Sequence, residues 1–147
     1  MDFSRITDDL FIGDTPNKKD YDTLRELGVW LVINMRGEHP STRDHHNPRL
    51  KFLWLPTADN PLLLIPVCCL KRGVRAALET IQNGGKVYAH CAKGRHRGVA
   101  MGAAILIAQG YDPDQAMQLI KNQRPTADPD IFYIRSRILK FARKYRG

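Results

Sequence analysis

Short apolar runs alternate with stretches that carry helix start and stop signals. Leu10-Phe11-Ile12 reads as a short strand after a polar lead-in. Thr15-Pro16 then reads as an N-cap followed by a proline in the first turn. Asn17 to Leu27 is predicted helical, with Gly28 as its C-cap. The continuous apolar run Val29 to Asn34 suits a buried strand, and Lys51 to Leu55 suits another. Between them, Met35 to Pro48 is polar and rich in His, Arg and Pro, which is the composition of a loop. Pro56-Thr57-Ala58-Asp59-Asn60-Pro61 is a loop fixed by proline at both ends. A helix with Pro66 in its first turn is predicted to reach about Asn83, closed by Gly84-Gly85 and followed by the last strand, Lys86 to His90. Helices over Gly98 to Gln109, Pro113 to Gln123 and Pro129 to Tyr145 complete the pattern. Strands interleaved with helices predict an α/β fold with a central, largely parallel twisted sheet of four to five strands flanked by helices. No repeat, linker or low-complexity segment interrupts the chain, so residues 1–147 are expected to form a single domain.

Composition agrees with that picture and narrows the partners. A chain of 147 residues suits one domain with a full core. With 43% hydrophobic and 26% charged residues, it has the balance of a globular protein rather than a disordered one. The longest apolar stretches, such as Leu62 to Leu70, are too short to span a bilayer and contain prolines. Three unevenly spaced cysteines suggest no disulfide framework, and Met1-Asp2-Phe3-Ser4-Arg5 lacks the segments of a signal peptide. A cytoplasmic, reducing location is therefore expected. The net charge of +8 favours anionic partners such as phosphorylated protein or phospholipid, with peripheral contact to an anionic membrane. Nucleic acid is not expected, because no zinc-finger spacing or RNA-binding aromatic signature accompanies the charge. The late basic cluster Arg135, Arg137, Lys140, Arg143, Lys144 and Arg146 reads as a solvated helix face.

The segment His90 to Gly98 turns the reading from architecture to chemistry. Cys91 and Arg97, six positions apart, bracket the turn from the last strand into the next helix. Such a turn aims successive backbone N–H groups and a helix N-terminus at one spot, where an anion is favoured. A free thiol ionises near pH 8.5, and helix N-termini and nearby cations lower that value, so Cys91 is expected to ionise readily. Its thiolate could attack phosphorus and form a phosphocysteine, dividing one hard displacement into two easier ones. Arg97 would grip two equatorial phosphoryl oxygens. Ala92, Lys93, Gly94, Arg95, His96, Arg97 and Gly98 form the expected phosphate-binding loop, with phosphate, sulfate or vanadate as ligands. Gly94 permits the sharp turn, and the side chains of Lys93, Arg95 and His96 are expected to radiate outward to the rim.

The leaving oxygen needs a proton donor. Asp59 is the candidate, since it follows a strand and ligands in open α/β sheets bind beyond the carboxyl ends of the strands. Asp128 and Asp130, in the turn before the last helix, are its rivals. His39, His45 and His46 lack metal-ligand spacing and read as a solvated loop. Cys68 and Cys69 read as core packing at the start of an amphipathic helix, the alternative being a disulfide that caps an oxidised Cys91.

These residues resemble the cysteine-dependent protein tyrosine phosphatases, in particular their compact dual-specificity branch. The pattern His-Cys-x-x-Gly-x-x-Arg is matched in full by His90, Cys91, Gly94 and Arg97. Leu10 to Gly13 looks like the first strand of that family, and Leu27-Gly28-Val29 through Val32-Ile33-Asn34 like its helix-to-strand passage. Asp59, 32 positions before Cys91, takes the place of the general-acid loop, and Arg124-Pro125 also fits. The resemblance implies a phosphatase needing no metal or cofactor: Cys91 as nucleophile, loop amides and Arg97 on phosphate, and Asp59 as acid and then base. The implied substrate is phosphotyrosine in protein, with phosphoserine and phosphothreonine beside it. One position departs, because Gly98 stands where the family has Ser or Thr. That hydroxyl assists breakdown of the phosphocysteine, so a slow second step is expected. A phosphoinositide or phosphatidylglycerophosphate-type lipid phosphatase is the alternative. Lys93, Arg95 and His96, the segment Asn34 to Glu38 and the run Gly73 to Gly85 are similar to that group. A phosphate-binding pseudophosphatase is a third reading, supported by Gly98 and opposed by Cys91, Arg97 and Asp59.

Overall fold

Five strands form one sheet in the order β1-β2-β5-β3-β4 in the computed structural model, which describes residues 1–146. The strands are β1 (Phe3–Arg5), β2 (Leu10–Gly13), β3 (Val29–Arg36), β4 (Lys51–Thr57) and β5 (Lys86–His90). β1 pairs antiparallel with β2, and every other pairing is parallel. The fold is the expected single α/β domain. β5 occupies the middle of the sheet, and its residues Val87 to His90 are buried, as a central parallel strand requires. Alternation along the strands sorts the two faces. Leu10, Ile12, Leu31, Ile33, Val87 and Ala89 join one core cluster, while Phe11, Val32 and Tyr88 join the other.

Helices α2 (Val67–Gln82), α3 (Arg97–Ala108), α4 (Pro113–Gln123) and α5 (Phe132–Arg146) cover the first face. α1 (Tyr21–Glu26) covers the second through Tyr21 and Leu24. α3 is buried from Arg97 to Ile107, so it lies under its neighbours rather than on the surface. α4 begins where Asp112 and Gln115 cap one another reciprocally and Pro113 takes the first helical position.

Several boundaries differ from the sequence reading, each for a local reason. β1 was not expected: it is three residues long, half-exposed and held by the edge of β2. The helix expected over Asn17 to Leu27 is a single 3-10 turn, Lys18–Asp20, followed by the six-residue α1. Asn17 rather than Thr15 is its cap, paired with Asp20. Gly28 ends α1 with φ +89°, as a C-cap glycine does. β3 and β4 run on to Arg36 and Thr57, and these added residues reach the site described below. The last helix begins at Phe132, because 129–130 form a turn and 131 a bend. In the basic cluster, Arg137 Nε donates to the carbonyl of Ile65 and Arg135 pairs with Asp130, so these two are anchored rather than only solvated. The side chain of Arg146 and all of Gly147 lie outside the described residues.

Candidate active site

The loop between β5 and α3 has its carbonyls pulled outward. Thr15 Oγ1 donates to the Cys91 carbonyl at 3.1 Å, and the Asp128 amide donates to the Arg95 carbonyl at 2.9 Å. Arg124, fully buried at the end of α4, donates from Nε to Gly94 O at 2.8 Å and from Nη2 to Lys93 O at 3.0 Å. A peptide whose carbonyl points out presents its N–H inward. None of the amides of residues 92–96 has an acceptor among the described residues. With α3 starting at Arg97, these donors and a helix N-terminus make an anion cradle. Gly94 has φ +68°, and a Cβ there would lie 2.6 Å from the carbonyl carbon and oxygen of Gly13, so only glycine fits.

Cys91, Asp59 and Arg97 are brought together as the sequence suggested. They line one cavity of about 250 Å³ with Ala92, Lys93, Arg95 and His96. A wider groove of about 680 Å³ adjoins it, sharing Asp59 and Arg97 and lined also by Glu38, Thr57, Leu63 and Leu64. Lys93 and Arg95 are exposed as expected, Arg95 also donating from Nε to Thr126 O. His96 is not. It turns inward, with its side chain 17% exposed and Nδ1 2.9 Å from Asp59 Oδ2.

Arg97 was expected to grip two equatorial phosphoryl oxygens. Its Nη1 instead donates to Glu38 Oε1 and to the Thr57 carbonyl, both at 2.9 Å, and its Nη2 donates to Glu38 Oε2 at 3.2 Å. These acceptors sit at or beside the ends of β3 and β4, which is why the longer strands matter. The Arg97 hydrogen bond holds the Glu38 carboxyl down at about 2, against the opposing effect of burial. Arg97 Nε is buried with no hydrogen-bond partner among the described residues.

Asp59 has both oxygens engaged: Tyr133 donates to Oδ1, and His96 stands at Oδ2. Burial raises its carboxyl, but the Tyr133 and His96 hydrogen bonds and the charges of His96 and Arg97 outweigh burial and hold it below the ordinary range. Burial, and then the bond to Asp59, pushes the Tyr133 hydroxyl up to about 12. Of the rivals, Asp128 Oδ2 approaches His96 Nε2 at 3.7 Å, whereas Asp130 pairs with Arg135. His90 is buried at 1% exposure, and burial lowers its imidazole to about 4. Gly98 packs on the end of β5, where a Cβ would lie 3.3 Å from His90 Cα and C. Cys68 is exposed rather than in the core, Cys69 is partly buried, and neither is in a disulfide. His46 sits 3.1 Å from Asp22 Oδ1.

Sequence reasoning missed Glu38 and Tyr133 and misread Thr15 as a cap. Arg124 carried a signal, the Arg-Pro pair after α4, but nothing local states its role. Thr15 Oγ1 accepts from Arg36 Nη1 at 2.9 Å while donating to Cys91 O, a bridge that exists only once β2 and β3 flank β5.

The family model described as the catalytic domain of dual specificity phosphatases matches residues 10–143. Mouse dual specificity phosphatase 28 is 32% identical over 136 residues, covering 88% of this chain and 77% of that protein. The crystal structure of human DUSP28 superposes with a TM-score of 0.87 at 24% identity, covering 99% of this chain and 95% of that one. The crystal structure of PTPMT1 in complex with PI(5)P gives 0.84 at 24% identity, covering 98% and 96%.

Proposed function

This chain belongs to the dual specificity phosphatase catalytic-domain family, and from that premise we propose a mechanism for it as a cysteine-dependent protein phosphatase. The substrate is a phosphorylated protein, phosphotyrosine first, with phosphoserine and phosphothreonine beside it. The phosphoryl group lies on the amides of Ala92 to Gly98. Arg97 turns from Glu38 to two phosphoryl oxygens, and the bound phosphate also supplies a partner for its buried Nε. Cys91 Sγ attacks phosphorus and forms a phosphocysteine while the P–O bond to the leaving group breaks. Asp59 gives a proton to the leaving oxygen and then takes one from the water that frees Cys91. The carrying observation is the single cavity that holds Cys91, Arg97 and Asp59 over a loop with inward amides.

The test is phosphate release from a phosphotyrosyl peptide by wild type, Cys91→Ser and Asp59→Asn. Cys91→Ser should lose turnover and keep vanadate or phosphate binding. Equal hydrolysis by wild type and Cys91→Ser would overturn the enzymatic reading. A second reading, a lipid phosphate at an anionic bilayer, is supported by one feature. Leu62, Leu63 and Leu64 are 88%, 61% and 45% exposed, and the latter two line the groove beside Asp59 and Arg97. Exposed apolar residues at the mouth of a phosphate site suit contact with a lipid surface. Faster release from phosphoinositide vesicles than from the peptide, abolished by Leu62→Ser with Leu63→Ser, would favour the lipid.

A further inference from the structure

A proton donor held ionised has a difficulty. Tyr133 and His96 keep the Asp59 carboxyl below its ordinary range, so at neutral pH it holds no proton of its own to give. The structure places another proton carrier against it. His96 Nδ1 is 2.9 Å from Asp59 Oδ2, within hydrogen-bond reach, while Tyr133 occupies Oδ1. The imidazole is fixed from several sides. Its ring meets the Tyr133 ring edge-on at 5.9 Å, and Nε2 points toward Asp128 Oδ2 at 3.7 Å without a hydrogen bond. The charged and titratable groups facing the pair are therefore Tyr133 from α5, Asp128 from the loop before it, Arg97 from the start of α3, and Lys93 and Arg95 from the loop that lines the same cavity. Cys91 faces it from the floor of the same cavity. A solvated rim histidine would have none of these contacts.

We propose that His96 is the proton partner of Asp59: its Nδ1 holds the proton that Asp59 delivers to the leaving oxygen and receives the one that Asp59 removes from water. The inference rests on the phosphatase reading above and assigns His96 a positioning role that acts through Asp59. In the first step the S–P bond forms and the ester P–O bond breaks. The leaving oxygen takes a proton from Asp59, which is replenished from Nδ1. The alcohol departs, leaving neutral His96, the Asp59 carboxylate and phosphocysteine. In the second step water attacks phosphorus and the S–P bond returns its electron pair to Cys91. One water proton passes through Asp59 to Nδ1, and inorganic phosphate leaves. A proton on Nδ1 lies within hydrogen-bond reach of Asp59 Oδ2, so the pair can hold a proton where the carboxylate alone holds none. The pair therefore extends general-acid catalysis toward neutral pH.

The experiment compares pH profiles of kcat and KM for wild type, His96→Asn and Asp59→Asn. One substrate is a phosphotyrosyl peptide, whose leaving group needs a proton. The other is an aryl phosphate with an acidic leaving group, followed in its pre-steady-state burst. The amide introduced by His96→Asn would keep a hydrogen bond to Asp59 but carry no exchangeable charge. With the peptide, the alkaline limb of kcat should move at least one pH unit toward acid in His96→Asn, with roughly tenfold lower kcat at pH 7 and little change in KM. The burst with the acidic leaving group should barely change, and imidazole added to His96→Gly should restore part of the peptide rate. Superimposable limbs, an equal loss with both substrates, or no additional imidazole effect would overturn the role. If wild type matches Cys91→Ser on both substrates, the phosphatase reading fails and this inference falls with it. Turnover that needs Cys91 but ignores His96 overturns the inference alone.

Discussion

Arg124→Met should loosen the phosphate loop without touching any reacting atom. Arg124 is 2% exposed and ties the carbonyls of Lys93 and Gly94 to Ser4 Oγ, which it meets at 3.1 Å. It also meets Asp2, but that carboxylate is 70% exposed, so this ion pair contributes little. Hydrogen bonds from a charged donor are worth about 1.5–3 kcal/mol each, and each dry carbonyl left unpaired costs about 1–3 kcal/mol. Removing a buried charge returns part of its desolvation cost. The net loss should be about 3 kcal/mol, which lowers the melting temperature by roughly 6–12 °C for a domain of this size. Urea unfolding gives the stability change, with the slope m confirming that the folded state is as compact as wild type. Vanadate titration gives the second readout. With the two carbonyls free to turn, fewer amides converge, and affinity should fall at least about tenfold, equivalent to one lost hydrogen bond. Arg124→Lys keeps the charge but reaches one carbonyl, so it should fall between the two. A Met variant less than about 1 kcal/mol weaker than wild type, binding vanadate equally well, would refute the claim that this arginine shapes the loop.

Gly98→Ser should raise the steady-state rate relative to the burst on an aryl phosphate, by restoring a hydroxyl near the sulfur; equal burst and steady-state rates in wild type would end that argument. Its Cβ must displace backbone at 3.3 Å, so a small loss of stability should accompany the gain. Glu38→Gln should bind vanadate severalfold more tightly, because a carboxylate no longer competes for Arg97; unchanged binding would show that the pair does not oppose the ligand. The Glu38 carboxyl is depressed to about 2, so its contribution to stability is complete above its ordinary 4.5 and lost as pH falls through 2. His90 gives a separate acid limb. Its folded value is about 4 against an ordinary 6.5, so the unfolded chain binds the proton first. Stability present above pH 6.5 should decline between 6.5 and 4 by roughly 3 kcal/mol, and His90→Gln should flatten that interval in urea unfolding.

Local chemistry was legible in the chain. β5, the turn after it and α3 follow one another directly, so Cys91, Gly94 and Arg97 could be placed on a strand-loop-helix cradle from spacing alone. The cap at Asp112-Pro113 and the breaks at Gly28 and Gly84-Gly85 are likewise statements about neighbouring residues. Even Asp59 could be placed, because a proline-fixed loop after a parallel strand falls at the carboxyl edge of the sheet.

Tertiary structure decided what each of those residues faces. Tyr133 reaches Asp59 across 74 residues, Glu38 reaches Arg97 across 59, and Arg124 reaches Asp2 across 122. None of these pairs has a periodic or compositional signature, because each exists only when β5 lies between β2 and β3 and α5 packs on α3. His96 shows the difference most directly. The sequence by itself put a histidine in a basic loop, where exposure was the default; the sheet order and α5 brought a carboxylate and a phenol to it, and the hydrogen bond of Nδ1 to Asp59 with the edge-on contact to Tyr133 turned it inward.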